Sequence, residues 1–593
     1  MKDMAILTLI EQLTMFFSNA FEVLGFDAKF GRVVISDRPD LGQFQCNGAL
    51  SVAKIYKKNP RDIAQMIIET LEKKDIFYSL SVAGAGFINI NLSDDFLTTH
   101  VIQMSIDERL CCPFVSKPKN VIIDFGGPNV AKPMHVGHLR ATIIGDSLQR
   151  LFRFLGHQVT SDIHLGDWGL QMGMLITELK ARNPELPYFD TSHTGSYPEE
   201  LSITINTLEE MYPVASMRCK NNKIDMEAAQ KATRELQQLS PGYYALWRHF
   251  VRISMQELKK DFENLSVTFD LWRGESYYND RLPSLIAELK AKGYIQESEG
   301  ALVIPVNSHT DKKEIPPLIL VKSDGGYLYS TTDLATIEER VKDFHADIIL
   351  YVVDKRQSLH FEQVFRSARL ISLARDVALE HIAFGTMCGT DGKPFKTRAG
   401  GVMKLKELIS MLKEKAIIRM EENDIAKMYD ITERESISKK VGLAALKFAD
   451  LSNHRTSNYV FDLERFSKFE GKTGPYLLYT AVRIKSILCK AEEKNIYPGS
   501  ILPPTLAIER ELMLSLCMLP DTIINAYIER TPHYLCDFIY DMSQIFSRFY
   551  LQCHILSEKD TDLQSSWLAL SKLCLCEINL VLHLLGIDIP ERM

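Results

Sequence analysis

The sequence predicts an α/β protein built on a Rossmann-like, doubly wound parallel sheet, with a small α+β unit before it and an all-helical unit after it. Three observations predict this. Val121-Ile122-Ile123-Asp124-Phe125 is a short apolar run, followed by a Gly/Pro/Asn loop and a helical pattern from about Val136 to Phe154. That succession of strand, loop and helix opens a nucleotide-binding sheet. Strand-like runs return at Leu318–Val321, Ile348–Val353 and His381–Phe384, after a long helical and charged stretch. Beyond about Phe466 strand signals fade, and amphipathic helical patterns continue to Met593.

In chain order, residues 1–115 form the small unit, with helical patterns at Met4–Leu24 and Arg61–Lys73 and strand-like pieces at Arg32–Ser36 and Phe87–Leu92. The apolar start after Lys2 is not an export sequence. Glu11 and Gln12 interrupt it, and Ile6, Ile10, Leu13, Phe17 and Phe21 recur at helical spacing. Lys117-Pro118-Lys119-Asn120 reads as a linker. Residues 116–405 hold the sheet, with Val159–His164 as its next strand and a helical insertion at about 188–270 that includes Met226–Leu239 and Tyr244–Phe262. Residues 406–466 read as a connecting helical region and 467–593 as the helical unit.

Hydrophobic content of 46% and charged content of 24% describe an ordinary globular chain. No stretch has the roughly 20 uninterrupted apolar residues of a membrane helix, so no membrane partner is expected. The 11 cysteines are scattered, and neither Cys111-Cys112 nor Cys574/Cys576 has the C-x-x-C spacing of a zinc or redox site. A reducing, cytoplasmic compartment is expected, and no zinc. The net charge is −7, and Ser467–Met593 carries 12 Lys+Arg against 15 Asp+Glu. Binding of nucleic acid by bulk phosphate neutralisation is therefore disfavoured, and any RNA must be read by local patches and shape.

His135-Val136-Gly137-His138 stands at the start of the helix after the first strand. A helix start offers free N–H groups and a partial positive charge, which suit an anion. Two histidines three apart share a face there, and Gly137 allows a flat group such as adenine to approach the backbone. The pair would hold ATP and donate to charge developing on the α-phosphate. Two histidines that merely cap a helix are the bland alternative. A zinc site is disfavoured, since no Glu follows His135 and no third ligand cluster is near.

The surroundings decide between these. Gly127-Pro128-Asn129-Val130-Ala131-Lys132-Pro133-Met134 before the pair, and His164-Leu165-Gly166-Asp167-Trp168-Gly169 after it, resemble segments of class I arginyl-tRNA synthetases of the bacterial type. The resemblance continues through Tyr327–Asp333, Asp354-Lys355-Arg356-Gln357, Asp391–Gly401 and the terminal Pro590-Glu591-Arg592-Met593. It implies two steps, formation of arginyl-adenylate from L-arginine and ATP, then transfer to the terminal ribose of the cognate tRNA. Alignment and charge stabilisation would carry the catalysis.

The resemblance also implies roles. Pro133, His135, Gly137 and His138 would contact ATP, which is expected with Mg2+. Lys393 and Lys396 would supply the degenerate phosphate-binding loop, with Lys132 as the compensating cation; which lysine meets the phosphates stays open. Arginine recognition needs carboxylates that grip a guanidinium. Asp333 leads, with Tyr329 and Gln357, while Asn129 and Asp124 match positions at the substrate's α-amino and carboxylate end. Asp333 also fits an N-cap, and Asp124 a buried strand-end acid. Leu41–Ala49 resembles a domain that contacts the outer corner of tRNA, and Gly471–Tyr479, Pro532-His533 and Phe546–Tyr550 resemble the helical anticodon-binding domain. Aromatics at helical spacing also suit a core. A monomer is expected.

Two other readings compete. A small adenylyltransferase shares the histidine motif but needs neither flanking unit. A tRNA- or arginine-binding protein without activity would be expected to lose the histidines or the pocket acid, and both remain.

Overall fold

The computed structural model describes residues 7–72, 74–198, 202–308, 310–323, 325–395, 403–422 and 429–593. The first unit is an antiparallel sheet of β1 (Val33–Ile35), β2 (Phe44–Cys46), β3 (Phe77–Ala83) and β4 (Phe87–Leu92), in the order β1-β2-β4-β3. Helices Leu9–Val23, Gly48–Tyr56 and Pro60–Thr70 accompany it. Thr8 begins the first of these, its hydroxyl accepting from the Glu11 N–H while the Glu11 carboxylate accepts from the Thr8 N–H.

The central sheet comprises β5 (Asn120–Asp124), β6 (Gln158–Leu165), β7 (Leu271–Gly274), β11 (Ile348–Tyr351) and β12 (Ala378–His381). All pairs are parallel, in the order β12-β11-β5-β6-β7. Val121, Ile122 and Ile123 are at most 2% exposed, because a strand covered on both faces reads as a continuous apolar run. The order reverses between β5 and β11, so a crevice opens beyond their C-terminal ends.

The expected helical insertion lies between β6 and β7 and contains helices Ile205–Asn221, Lys223–Gln237 and Pro241–Asn264. The placement of Leu318–Val321 is a correction. It forms β10 of a separate antiparallel sheet with β8 (Gln296–Ser298) and β9 (Ala301–Ile304). Ile319 is 42% exposed between buried Leu318 and Leu320, the one-sided burial of an antiparallel strand, which an all-apolar quartet conceals. The last strand of the main sheet also sits earlier than the expected His381–Phe384.

Helices Leu405–Glu422 and Ile431–Leu451 lead into Gly474–Glu493, Ala507–Leu516, Leu519–Glu529, His533–Gln552 and Thr561–Leu584. Two short strands, β13 (Met387–Cys388) and β14 (Tyr459–Val460), pair in parallel and tie the connecting region to the sheet domain. Phe546 and Phe549 are fully buried and belong to the core. The first unit docks on this helical one, where Arg510 donates to the Asp94 carboxylate and the Leu92 carbonyl, both at 2.6 Å. Two helical stretches, Ala507–Glu529 and Thr561–Leu584, are long and apolar enough by composition to cross a bilayer, although charged residues interrupt both. Half or more of each is buried inside the molecule.

Candidate active site

The loop after β5 carries the first motif. Ala131 takes a left-handed backbone, φ 61°, and its N–H donates to Ser254 Oγ at 3.0 Å. Asn129 pairs in parallel with Gly166 of the second motif, and a Cβ on Gly166 would lie 2.2 Å from Asn129 Oδ1. The missing Cβ of Gly166 leaves the space that the Asn129 side-chain amide occupies.

His135 is the N-cap of helix Val136–Phe154. Its Nδ1 accepts from the Gly137 N–H at 3.0 Å, and its own N–H donates to His138 Nδ1 at 3.3 Å. The rings stack with centroids 4.0 Å apart. Each Nδ1 is an acceptor, so each imidazole carries its proton on Nε2 and has one donor left for a ligand. Burial, then the neighbouring Lys132, lowers the His135 pKa; burial, His135 and Lys132 push His138 down to about 3. Both rings are therefore neutral donors near pH 7. Gly137 also leaves room for the neighbouring ring. A Cβ there would lie 2.7 Å from His135 Cε1, so the space belongs to the histidine ring.

The segment that begins at Met403 returns to this motif. His135 and Lys404 form an antiparallel bridge, with Val136 N–H donating to the Met403 carbonyl at 3.1 Å and Leu405 N–H to that of Met134 at 2.9 Å. Upstream, Phe395 N–H donates to the Met387 carbonyl at 3.1 Å. Lys393 is exposed on a turn, its N–H donating to Asp391 Oδ1 at 3.0 Å. Lys396 lies outside the described residues. Lys132 is partly buried beside Pro133, its Nζ 4.3 Å from the centroid of the Tyr212 ring.

A cavity of about 370 Å³ opens next to Asn129, lined also by Gln230, Arg234, Glu275, Tyr329 and Thr332. Tyr329 begins helix Tyr329–Lys342 and is 60% exposed. Asp333 lies one turn into that helix, whose N-cap is Leu328, so the N-cap reading of Asp333 is corrected. Its Oδ2 is 2.7 Å from Nε2 of His360, a residue the sequence reading missed. Gln357 is exposed and is the N-cap of helix Ser358–Leu370; it does not line the cavity.

Asp124 turns away from the expected role. Arg340 Nη2 donates to Asp124 Oδ2 at 2.6 Å and to Asp162 Oδ2 at 2.8 Å, so the strand-end acid serves a buried ion pair. Burial raises the Asp124 pKa and Arg340 opposes that shift.

Glu275 was also missed. It directly follows β7, opens partly onto the cavity, and is held by its neighbour Ser276, which donates to Asp167 through its N–H (3.0 Å) and its hydroxyl (2.6 Å). Burial pushes its carboxyl to about 7; His164 opposes this, while the charges of Asp167 and Asp333 add to it. The site thus combines a neutral donor pair at a helix start with Glu275 on a neighbouring cavity and Asp333 near enough to raise its carboxyl.

Comparisons with known proteins extend over nearly the whole chain. Residues 100–463 match the family described as "tRNA synthetases class I (R), catalytic domain". Residues 8–92 match "Arginyl tRNA synthetase N terminal domain", and 477–593 match "DALR anticodon binding domain". The arginine–tRNA ligase of Alkaliphilus oremlandii (strain OhILAs) is 50% identical over 587 residues, 99% of this chain and 100% of that one. That of Maricaulis maris (strain MCS10) is 48% identical over 587 residues, with the same coverage. The arginyl-tRNA synthetase structure from Plasmodium falciparum aligns with a TM-score of 0.80 at 26% identity, covering 99% of this chain and 100% of that one.

Proposed function

The chain belongs to the arginyl-tRNA synthetases, activating L-arginine with ATP and transferring it to tRNA, and from that premise we propose which residues perform each part. The arginine carboxylate attacks the α-phosphorus; the new O–P bond replaces the bond to pyrophosphate, which leaves. The Nε2–H groups of His135 and His138 donate to charge developing on the phosphate oxygens, in the manner of an oxyanion hole. Gly137 serves by making room for the His135 ring, and Pro133 flanks the nucleotide. Among the described lysines, Lys132 stands against the histidines, while Lys393 is exposed on its turn; Lys396 would join them from the loop.

Asp333 and Glu275 grip the guanidinium, with Tyr329 as the wall and Asn129 at the α-amino end. The opening of Glu275 onto the cavity, with Asp333 behind Tyr329 and Thr332 and close enough for its charge to raise the Glu275 carboxyl, carries the reading, because a guanidinium needs paired acceptors. His360 holds Asp333 from behind. Asp124 supports the sheet through Arg340, and Gln357 stands outside the cavity. Mg2+ arrives on the ATP phosphates as part of the substrate, a mode in which it keeps several of its waters. Among the described residues, no group of three or more His, Cys, Asp or Glu is placed to hold a metal.

The tRNA for arginine is the RNA partner, and the enzyme works as a cytoplasmic monomer without a membrane partner. The unpaired and mostly buried cysteines support a reducing compartment. Charging of total tRNA with each amino acid in turn tests the assignment, with arginine alone expected to be transferred. Arginine transfer that survives the joint loss of Glu275 and Asp333 would remove both from the pocket.

A further inference from the structure

Helix Ile205–Asn221 of the insertion lies against both chain segments that frame the histidine pair. Glu209 and Tyr212 are three residues apart and so share one face of it. Glu209 Oε2 accepts from Lys404 Nζ at 2.6 Å, and the backbone of Lys404 is the bridge partner of His135. Tyr212 presents its ring to the Lys132 ammonium, 4.3 Å from the centroid. A small cavity of about 110 Å³, lined by Lys132, Met134, Glu209 and Lys404 among others, lies beside these contacts.

The two lysines are held in opposite ways. Lys404 is neutralised by a carboxylate. Lys132 is held by a ring, whose quadrupole attracts a cation without cancelling its charge. A free lysine stem loses rotamer freedom when it binds a phosphate, and a ring that holds it beforehand removes part of that cost.

We propose that Tyr212 is a positioning residue for adenylyl transfer, holding the Lys132 ammonium beside His135 and His138 with its charge available to the ATP phosphates. This rests on the reading of Lys132 as a phosphate-binding cation. The insertion helix is thereby part of the phosphate site rather than a spacer between strands.

The test uses the full-length chain with Tyr212→Phe, Tyr212→Leu, Lys132→Ala and the Lys132→Ala/Tyr212→Leu double variant. Aminoacylation gives kcat and the KM values for ATP and for arginine separately. Tyr212→Phe keeps the ring and is expected to stay within about twofold of the parent, while Tyr212→Leu raises the ATP KM roughly three- to tenfold. The arginine KM stays unchanged, and the double variant is no worse than Lys132→Ala alone. Additive losses in the double variant, an unchanged ATP KM in Tyr212→Leu, or equal increases in both KM values overturn the role of Tyr212 and leave Lys132 standing. If Lys132→Ala itself leaves the ATP KM and kcat untouched, the reading of Lys132 fails and the proposal with it.

Discussion

The proposed phosphate side and the proposed arginine side of the site are built on different principles. The first is local: Lys132, Pro133, His135, Gly137 and His138 occupy one loop and the first turn of one helix, and hydrogen bonds within that turn set the tautomers. The second is assembled from distant segments, with Asn129 after β5, Gln230 and Arg234 from the insertion, Glu275 after β7, and Asp333 from a helix that His360 braces. A local motif keeps its geometry wherever the helix starts. A distributed pocket exists only when the sheet brings its edges together.

Asp124 marks the border between the two, and replacing it tests where that border runs. Asp124→Ala leaves the buried Arg340 with Asp162 as its remaining carboxylate. Breaking a buried pair in this way costs on the order of 3–5 kcal/mol. Denaturant unfolding is expected to show that loss, with the arginine KM of the folded fraction close to the parent value. A normal midpoint with a raised arginine KM would return Asp124 to the pocket.

His138→Ala breaks the local side. One donor to developing charge is lost, so kcat should fall by about a hundredfold or more while the arginine KM hardly moves. An unchanged kcat would reduce the stacked pair to a helix cap.

The difference in construction explains what was legible in the sequence. The histidine motif was readable because its chemistry and its spacing coincide, and β5 because a doubly covered strand is continuously apolar. Glu275 was hidden because β7 is a partly exposed edge strand, Leu-Trp-Arg-Gly, that lacks a buried strand's pattern. Asp167 and Ser276, which hold Glu275 in place, are 109 residues apart, and no local pattern announces such a pairing. His360 was missed for the same reason, since only the packing of two helices brings it to Asp333. Leu318–Val321 shows the converse, a run whose composition suits two kinds of strand until its partner is known.

Glu275→Gln probes the distributed side. Removing one charged acceptor is worth roughly 1.5–3 kcal/mol, so the arginine KM should rise about ten- to a hundredfold with little change in the ATP KM. The elevated carboxyl adds a pH signature. A guanidinium binds the ionised form, and with a pKa of about 7 that form is lost as pH falls through 7. The arginine KM should therefore climb about tenfold from pH 8 to pH 6. Glu275→Gln should flatten that slope; if the slope persists in the variant, another group is titrating and Glu275 does not hold the substrate.

The smallest effect tests the outer limit of the pocket. Gln357 is exposed and caps a helix with its backbone position rather than a side-chain bond. A surface change of this kind is worth within about 0.5 kcal/mol, so Gln357→Ala should alter the arginine KM by about twofold at most. Steady-state aminoacylation at several arginine concentrations resolves that. A tenfold rise instead would mean that the turn Lys355–Gln357 moves onto arginine when it binds, and the distributed side would then include an element that comes into place only with its substrate.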